Sequence, residues 1–195
     1  MSEQMQGSLE VHIGPMFSDK SSTLINAFAR LTDQRSQPIC LKPALDDRYG
    51  ANAAIHAHNG RSAPAILFEH QRPELIFEVI PPGTTHALID EIQFCSGELV
   101  GVLEQLLARG VSVVAAGLDL DFAGNPFGST PDVVELAHRL QEPSSVHHHT
   151  ATCDGCGRQA TLSYAKVPMD QIVRVGAAEA FGAACPSCHP QLNQG

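Results

Sequence analysis

Positive charge is scarce in this chain. Its 195 residues carry 12 Lys and Arg against 21 Asp and Glu, a net charge of −9. That deficit excludes a nucleic-acid coat protein, whose affinity comes from many cationic phosphate contacts. It equally excludes a polybasic membrane binder. Long apolar runs are missing: no stretch approaches the ~20 residues of a membrane span. Residues 1–8 lack the apolar stretch of a secretory leader, so a cytoplasmic location is expected. There is no internal repeat and no long low-complexity run. What the chain does have is core material. Hydrophobic residues make up 43% and charged residues 17%, which suits one ordinary folded domain with at most a small appendage.

Strand and helix periodicities alternate along the first three quarters of the chain. Leu9-Glu10-Val11-His12-Ile13 alternates apolar and polar residues and reads as a strand. Thr23 to Leu31 has helical spacing. Pro38 to Leu41 is a short apolar strand, and the polar stretch from Ala44 to Pro64 reads as a long loop. Helical spacing returns over Glu74 to Val79, and His86 to Ile89 is the next strand. Glu98 to Arg109 is an amphipathic helix, with Leu99, Val102, Leu103, Leu106 and Leu107 on one side and Gly110 placed to end it. Val111 to Ala116 is nearly all apolar, as in a parallel strand covered on both faces. Pro131 to Leu140 predicts a short helix. This pattern implies an α/β domain with a mostly parallel sheet over residues 1–145. Residues 146–195 differ in character and read as a second, small domain.

Between the first strand and first helix lies Gly14-Pro15-Met16-Phe17-Ser18-Asp19-Lys20-Ser21. Strand, Gly-containing loop, Lys-Ser and helix, in that order, is the setting of a phosphate loop (P-loop), whose backbone N–H groups cradle phosphates at a helix N-terminus. Lys20 is one of only three lysines in the chain. It would reach the β- and γ-phosphates, and Ser21 would ligate Mg²⁺. Asp19 stands where the consensus has its second Gly. An ordinary strand-to-helix turn with Asp near the helix start is the competing reading. Asp tolerates positive φ better than most residues. Its charge, however, would oppose a polyphosphate by about 4 kcal/mol per charge pair at ~4 Å and an effective dielectric of ~20. That is two or three decades in affinity.

Ala87-Leu88-Ile89 delivers Asp90 and Glu91 to a strand's C-terminal end, where open α/β sheets place their ligands. Asp90 suits a metal-holding role and Glu91 that of a general base toward a hydroxyl. A solvated strand end would show the same residues. Combined with the Lys-Ser loop, the functional reading is the better one.

Two C-x-x-C pairs, Cys153/Cys156 and Cys185/Cys188, can supply four thiolates to a tetrahedral Zn²⁺. Disulfides or redox dithiols are the alternative, disfavoured in a reducing compartment. His189, beside the last Cys, is a possible substitute ligand. Cys40 and Cys95 lie in apolar segments and are expected to be buried and inert. His147 to His149 resemble a tag fragment, but their mid-chain position marks them as native sequence.

Taken together, the chain resembles the type II, zinc-containing thymidine kinase family. The matching segments are GPMFSDKS (14–21), DDRYG (46–50), HNG (58–60), DEIQF (90–94), GLDLDFAGNPFG (117–128), CDGC (153–156) and VGAAEAFGAACPSC (175–188). The resemblance implies a RecA-like P-loop α/β domain with a small C-terminal zinc-ribbon lid domain, assembled as a homotetramer. It implies transfer of the ATP γ-phosphoryl group to the 5′-hydroxyl of thymidine or deoxyuridine with Mg²⁺. In that reading residues 14–21, Asp46 and Arg48 bind the phosphates, Ser21 and Asp90 associate with Mg²⁺, and Glu91 is the catalytic base. Met16, Leu118, Ser163 and Phe181 match the lining of the thymine pocket. Phe122, Phe127, Val173, Val175 and Gly176 complete the expected substrate contacts. Cys153, Cys156, Cys185 and Cys188 hold structural zinc. Neither nucleic acid nor membrane is expected as a partner.

The sequence departs from the family pattern at three places. Asp19 replaces Gly, Phe181 replaces the usual Tyr, and Val175-Gly176-Ala177 replaces Ile-Gly-Gly. Two other readings therefore stand beside an active kinase. Asp19 favours a weakly active or non-catalytic nucleoside- or nucleotide-binding homologue. A basic patch around Arg158, Lys166 and Arg174 would favour a zinc-ribbon interaction module.

Overall fold

The structure is a computed structural model and describes residues 7–45, 53–140, 145–167 and 180–193. In chain order its first elements are β1 (Leu9–Ile13), α1 (Lys20–Asp33), β2 (Pro38–Ala44), β3 (Ala54–His56), β4 (Ser62–Pro64) and β5 (Ile66–Glu69). There follow α2 (Ile76–Val79), β6 (His86–Ile89), α3 (Leu99–Ala108), β7 (Ser112–Gly117), α4 (Thr130–Leu140) and β8 (Ser145–His148). Last come β9 (Ala151–Thr152), β10 (Gln159–Ala160), β11 (Leu162–Ala165), β12 (Phe181–Ala184) and α5 (His189–Leu192).

Six strands form one sheet in the order β5-β2-β6-β7-β1-β8, and every neighbouring pair is parallel. Alternate side chains therefore feed two cores. Leu9, Val11 and Ile13 of β1, Ala87 and Ile89 of β6, and Val113 and Ala115 of β7 meet α3 and α4 on one face. Leu88, Val114, Ala116 and Cys40 meet Leu24, Ile25, Ala27 and Leu31 of α1 on the other. Burial on both faces explains why β6 and β7 read as continuous apolar runs. Leu99, Val102, Leu103, Leu106 and Leu107 of α3 are all buried. Truncating one of them, as in Leu103→Ala, costs about 2–5 kcal/mol.

The stretch expected to be a loop, Ala44–Pro64, contains a short antiparallel hairpin. β3 pairs with β4, from Ala54 opposite Pro64 to His56 opposite Ser62. Its Ile55, Ala57 and Ala63 close the end of the α1 core. Three-residue strands are too short to show a period, and here only the central residues are buried. The main sheet also extends past residue 145, because β8 pairs with β1 from Glu10 opposite Ser145 to Ile13 opposite His148.

The C-terminal part is built from two small antiparallel pairs, β9 with β10 and β11 with β12. A minor core of Cys153, Ala160, Tyr164, Ala183, Ala184 and Cys185 lies between them. Phe17, from the loop after β1, packs against this core. No helix among the described residues is long and apolar enough to cross a membrane.

Candidate active site

Three neighbouring strands of the sheet, β6, β7 and β1, end on the same edge, and their C-terminal loops converge there. The loop after β1 turns sharply into α1. Phe17 and Asp19 take positive φ of 62° and 61°, and the first helical turn opens with the Thr23 N–H donating to the Asp19 carbonyl at 3.0 Å. Asp19 thus adopts the left-handed conformation its side chain tolerates. Gly14 is required for a different reason. It has φ of 146°, and a Cβ there would lie 2.4 Å from the His149 carbonyl oxygen.

Lys20 is folded onto this loop. Its Nζ donates to the carbonyls of Gly14 (2.9 Å) and Pro15 (2.6 Å) and to Ser18 Oγ (3.1 Å). Burial lowers its pKa, while Glu91 and Asp90 act in the opposite sense. Ser21 Oγ donates to Asp90 Oδ2 at 3.0 Å. This contact joins the helix after β1 to the end of β6. Asp90 is 3% exposed, and its carboxyl is pushed up to about 7, chiefly by burial and then by the neighbouring Glu91 carboxylate.

Glu91 also has positive φ, 57°. Its N–H donates to Asp90 Oδ1 at 3.1 Å. Its Oε2 accepts from Gln93 Nε2 at 2.6 Å. Gln93 Oε1 in turn accepts the Leu118 N–H at 3.0 Å, so this buried amide ties the carboxylate to the end of β7. Gly117 makes the approach possible, since a Cβ there would sit 2.8 Å from Gln93 Oε1. Sequence reading did not single out Gln93. Nothing in the letters shows that residue 93 meets residue 118.

One cavity brings these groups together. It is lined by Met16, Phe17, Ser18, Asp19, Lys20, Ser21, Asp90, Glu91 and Leu118, and by Ala57 and His58 from the β3–β4 connection. His58 belongs to the HNG segment, residues 58–60. Its ring packs on Phe17 at 4.6 Å between centroids. A half-buried lysine, a hydroxyl bonded to a carboxylate, and a second carboxylate form a set able to bind phosphate and a divalent cation and to accept a proton.

The Asp19 carboxylate changes the expected penalty. Asp19 is exposed, and its Oδ1 accepts from Ser22 Oγ at 3.3 Å. Water therefore screens it, and at ~4 Å in bulk water the repulsion is about 1 kcal/mol per charge pair. The figure of about 4 kcal/mol expected from sequence holds at an effective dielectric of ~20, and exposure moves the repulsion toward this lower value.

The other expected substrate contacts are dispersed. Ser163 Oγ accepts the Met16 N–H at 3.0 Å, which places it directly behind the loop between β1 and α1. The Phe122 carbonyl accepts from Asn193 Nδ2 (3.0 Å) and lies 2.8 Å from His189 Nε2. Phe127 packs edge-on against Phe94, and Phe181 pairs with Ala165 in the β11–β12 hairpin. None of these four lines the cavity. Asp46, Arg48, Val173, Val175 and Gly176 lie outside the described residues.

Cys153, Cys156, Cys185 and Cys188 form the second centre. Their sulfurs lie within 4.8 Å of one another, and Cys156 Sγ is 3.7 Å from Cys185 Sγ. A tetrahedral ion with ~2.3 Å bonds to sulfur needs about 3.8 Å between ligands. The cluster therefore fits a metal such as zinc. No disulfide links these cysteines. Arg158 Nε donates to Cys156 Sγ at 3.3 Å and brings that thiol down to about 6. His189 is directed away, its Nε2 lying 3.0 Å from the Ser163 carbonyl as well as facing Phe122. It holds the lid base to the main domain and is not among the clustered ligands.

The cations considered for an interaction patch are already engaged. Arg158 faces the sulfurs, and Lys166 lies 3.8 Å from Asp154. Arg174 is outside the described residues. Cys40 and Cys95 are buried, with thiols raised to about 12 by burial.

Comparison with known families gives a match to the thymidine kinase family over residues 7–189, nearly the whole chain. The four clustered cysteines are consistent with the zinc-containing type II branch.

Proposed function

The chain belongs to the thymidine kinase family, and from that premise we propose that it transfers the γ-phosphoryl group of ATP to the 5′-hydroxyl of thymidine or deoxyuridine. The observation that carries this reading is the bond between Ser21 Oγ and Asp90 Oδ2, in the same cavity as Lys20 and Glu91. Phosphoryl transfer depends on positioning and charge neutralisation more than on covalent catalysis. The residues supply both.

In the proposed reaction Lys20 leaves its loop carbonyls for the β- and γ-phosphate oxygens. Ser21 and Asp90 would hold Mg²⁺, which supplies further neutralisation of the phosphate charge when bound. The substrate 5′-oxygen attacks the γ-phosphorus, the bond to the β-bridging oxygen breaks, and ADP leaves. The hydroxyl proton passes to Glu91, whose Oε2 is fixed by Gln93 and whose position beside Asp90 is set by its own backbone. Cys153, Cys156, Cys185 and Cys188 would hold Zn²⁺ in a structural role, which would tie together β9–β12, against which Phe17 and Met16 rest. Cytoplasmic location and homotetrameric assembly belong to the same reading.

The test is transfer of labelled γ-phosphate from ATP to thymidine in the presence of Mg²⁺, with Glu91→Gln as reference. Thymidine monophosphate formation by wild type at well over ten times the Glu91→Gln rate is expected. Equal rates would sink the kinase assignment and leave a nucleotide-binding homologue, the reading that Asp19 favours.

A further inference from the structure

The face of the sheet that packs on α1 is apolar along β2, β6 and β7, through Cys40, Leu88, Val114 and Ala116. On β1 the same alternation would call for apolar residues at 10 and 12. Instead it places Glu10 and His12. Their registered partners on β8 are Ser145 and His147. Four polar side chains thus gather at the sheet edge, on the side away from the core formed by α3 and α4.

Within this group His12 is 4% exposed. Its Nδ1 lies 2.8 Å from His149 Nε2, and its Nε2 lies 3.0 Å from Glu10 Oε1. The latter pair has the distance of a hydrogen bond but not its alignment, and His12 Nε2 is a buried nitrogen without a hydrogen-bond partner. His147 Nε2 lies 3.4 Å from the same Glu10 oxygen. The His12 and His147 rings are stacked, 4.8 Å apart at 16°.

We propose that Glu10, His12 and His147 form a second metal site, binding a borderline divalent ion of the zinc type through one carboxylate oxygen and two imidazole nitrogens. Two histidines and a carboxylate are a recognised zinc ligand set that keeps a fourth position for water. Ligand atoms at ~2.0–2.1 Å around a tetrahedral ion lie about 3.3 Å apart. The two contacts to Glu10 Oε1, 3.0 and 3.4 Å, bracket that spacing. All three ligand atoms lie within 4.8 Å. His147 Nε2 also lies 3.0 Å from Ser145 Oγ, so closing the remaining gap requires the exposed His147 ring, 48% accessible, to leave both that contact and the stack.

The histidine pair explains why an ion is suited to the buried nitrogen. One proton serves the contact between His12 Nδ1 and His149 Nε2. When His12 donates it, Nε2 presents a lone pair to a carboxylate, a repulsive arrangement that a cation relieves. His149 then accepts from the ring nitrogen opposite the metal, the usual means of fixing a ligand's tautomer and direction. His149 is itself held in place, since its N–H donates to the Ile13 carbonyl at 2.7 Å. It is a positioning residue. The run of histidines 147–149 that resembled a tag thereby gains separate roles: 147 as ligand, 149 as support, and 148 exposed.

The test is zinc stoichiometry of the full chain, measured by elemental analysis after dialysis against micromolar zinc. Thiol-specific mercurials displace metal from cysteine sulfur and so separate the two populations. Wild type should retain a zinc equivalent after mercurial treatment. Glu10→Gln and His147→Ala, both at accessible positions, should lose that equivalent while keeping the cysteine-bound one and the wild-type thermal transition. His149→Ala should bind it about 10–100-fold more weakly. Wild type with no mercurial-resistant zinc overturns the site. So does full retention in Glu10→Gln, which would mean that the histidine run captures metal without the carboxylate.

Discussion

Replacing Asp19 by Asn isolates the charge that this residue brings to the proposed phosphate loop. Asn shares the tolerance of Asp for left-handed backbone, so the φ of 61° at this position is not disturbed. Only the charge is removed. Because Asp19 is exposed, the relevant medium is water. Each phosphate charge at ~4 Å contributes about 1 kcal/mol of repulsion there. With one or two phosphate charges that close, the variant gains about 1–2 kcal/mol, or roughly 5–30-fold in ATP affinity. Asp19→Gly removes the same charge and should gain about as much affinity, because the left-handed backbone is already in place without ligand. Equilibrium binding of ATP by competition with a fluorescent analogue reads this directly. At ~1 M salt, where the screening length is about 3 Å, most of the gain should disappear. An Asp19→Asn variant that melts like wild type but binds ATP no more tightly at low salt would refute the reasoning. The loop's affinity would then be limited by backbone shape.

Two further predictions concern the carboxylates. With its carboxyl raised from 3.8 to about 7, native Asp90 keeps a proton over a pH range in which the unfolded chain has released it. The native state then binds more protons than the unfolded state, so stability falls as pH rises through this window. In magnesium-free buffer Asp90→Asn should remove that slope. The variant should gain on wild type by about 4 kcal/mol at most between pH 4 and 7 in urea unfolding, whereas parallel curves would show that Asp90 is ionised throughout. Gln93→Leu strips Glu91 of its donor and leaves the Leu118 N–H unsatisfied. It should destabilise by about 1–3 kcal/mol and lower kcat about 10–100-fold through misplacement of Glu91, with KM for ATP little changed in steady-state assays. A change in KM alone would show that Gln93 serves binding and not the base.

What the sequence makes legible follows from how far each signal reaches along the chain. β1, α1, α3 and α4 each bury one face by local periodicity, so alternation and helical spacing reveal them, while β6 and β7, covered on both faces, show as apolar runs. β3 and β4 do not repeat long enough to show a period. β5 is four residues of one short apolar run. β8 is hidden differently. Its Ser-Val-His-His sequence lacks an apolar alternation because one side of it faces Glu10 and His12, not the α1 core. Lys20, Ser21, Asp90 and Glu91 are legible because loop chemistry fixes their spacing. Gln93 is not, since its partners are Glu91 and a backbone group 25 residues on, and only parallel packing of β6 beside β7 joins them. The screened environment of Asp19 is likewise a property of where its side chain emerges.

The loop between β1 and α1 explains why such distant parts of the chain bear on one site. A loop with two non-glycine residues at positive φ has little conformational stability of its own. It is held from outside at three points. Gly14 lies flush against the His149 carbonyl, Met16 donates to Ser163, and Phe17 packs on the small core beside the cysteines. Ser163 and that core stand on the β11–β12 hairpin, whose far end carries Cys185. His149 follows β8, and its ring reaches His12. The four-cysteine centre and the histidine cluster therefore reach the loop from different directions, each through a short chain of direct contacts. Metal at either centre would restrict a segment that touches the loop. This arrangement also accounts for the tolerance of Asp at position 19. The backbone that a glycine would otherwise have to supply is imposed by residues 149 and 163 and by the lid core, so the cost of the substitution is left chiefly to its charge.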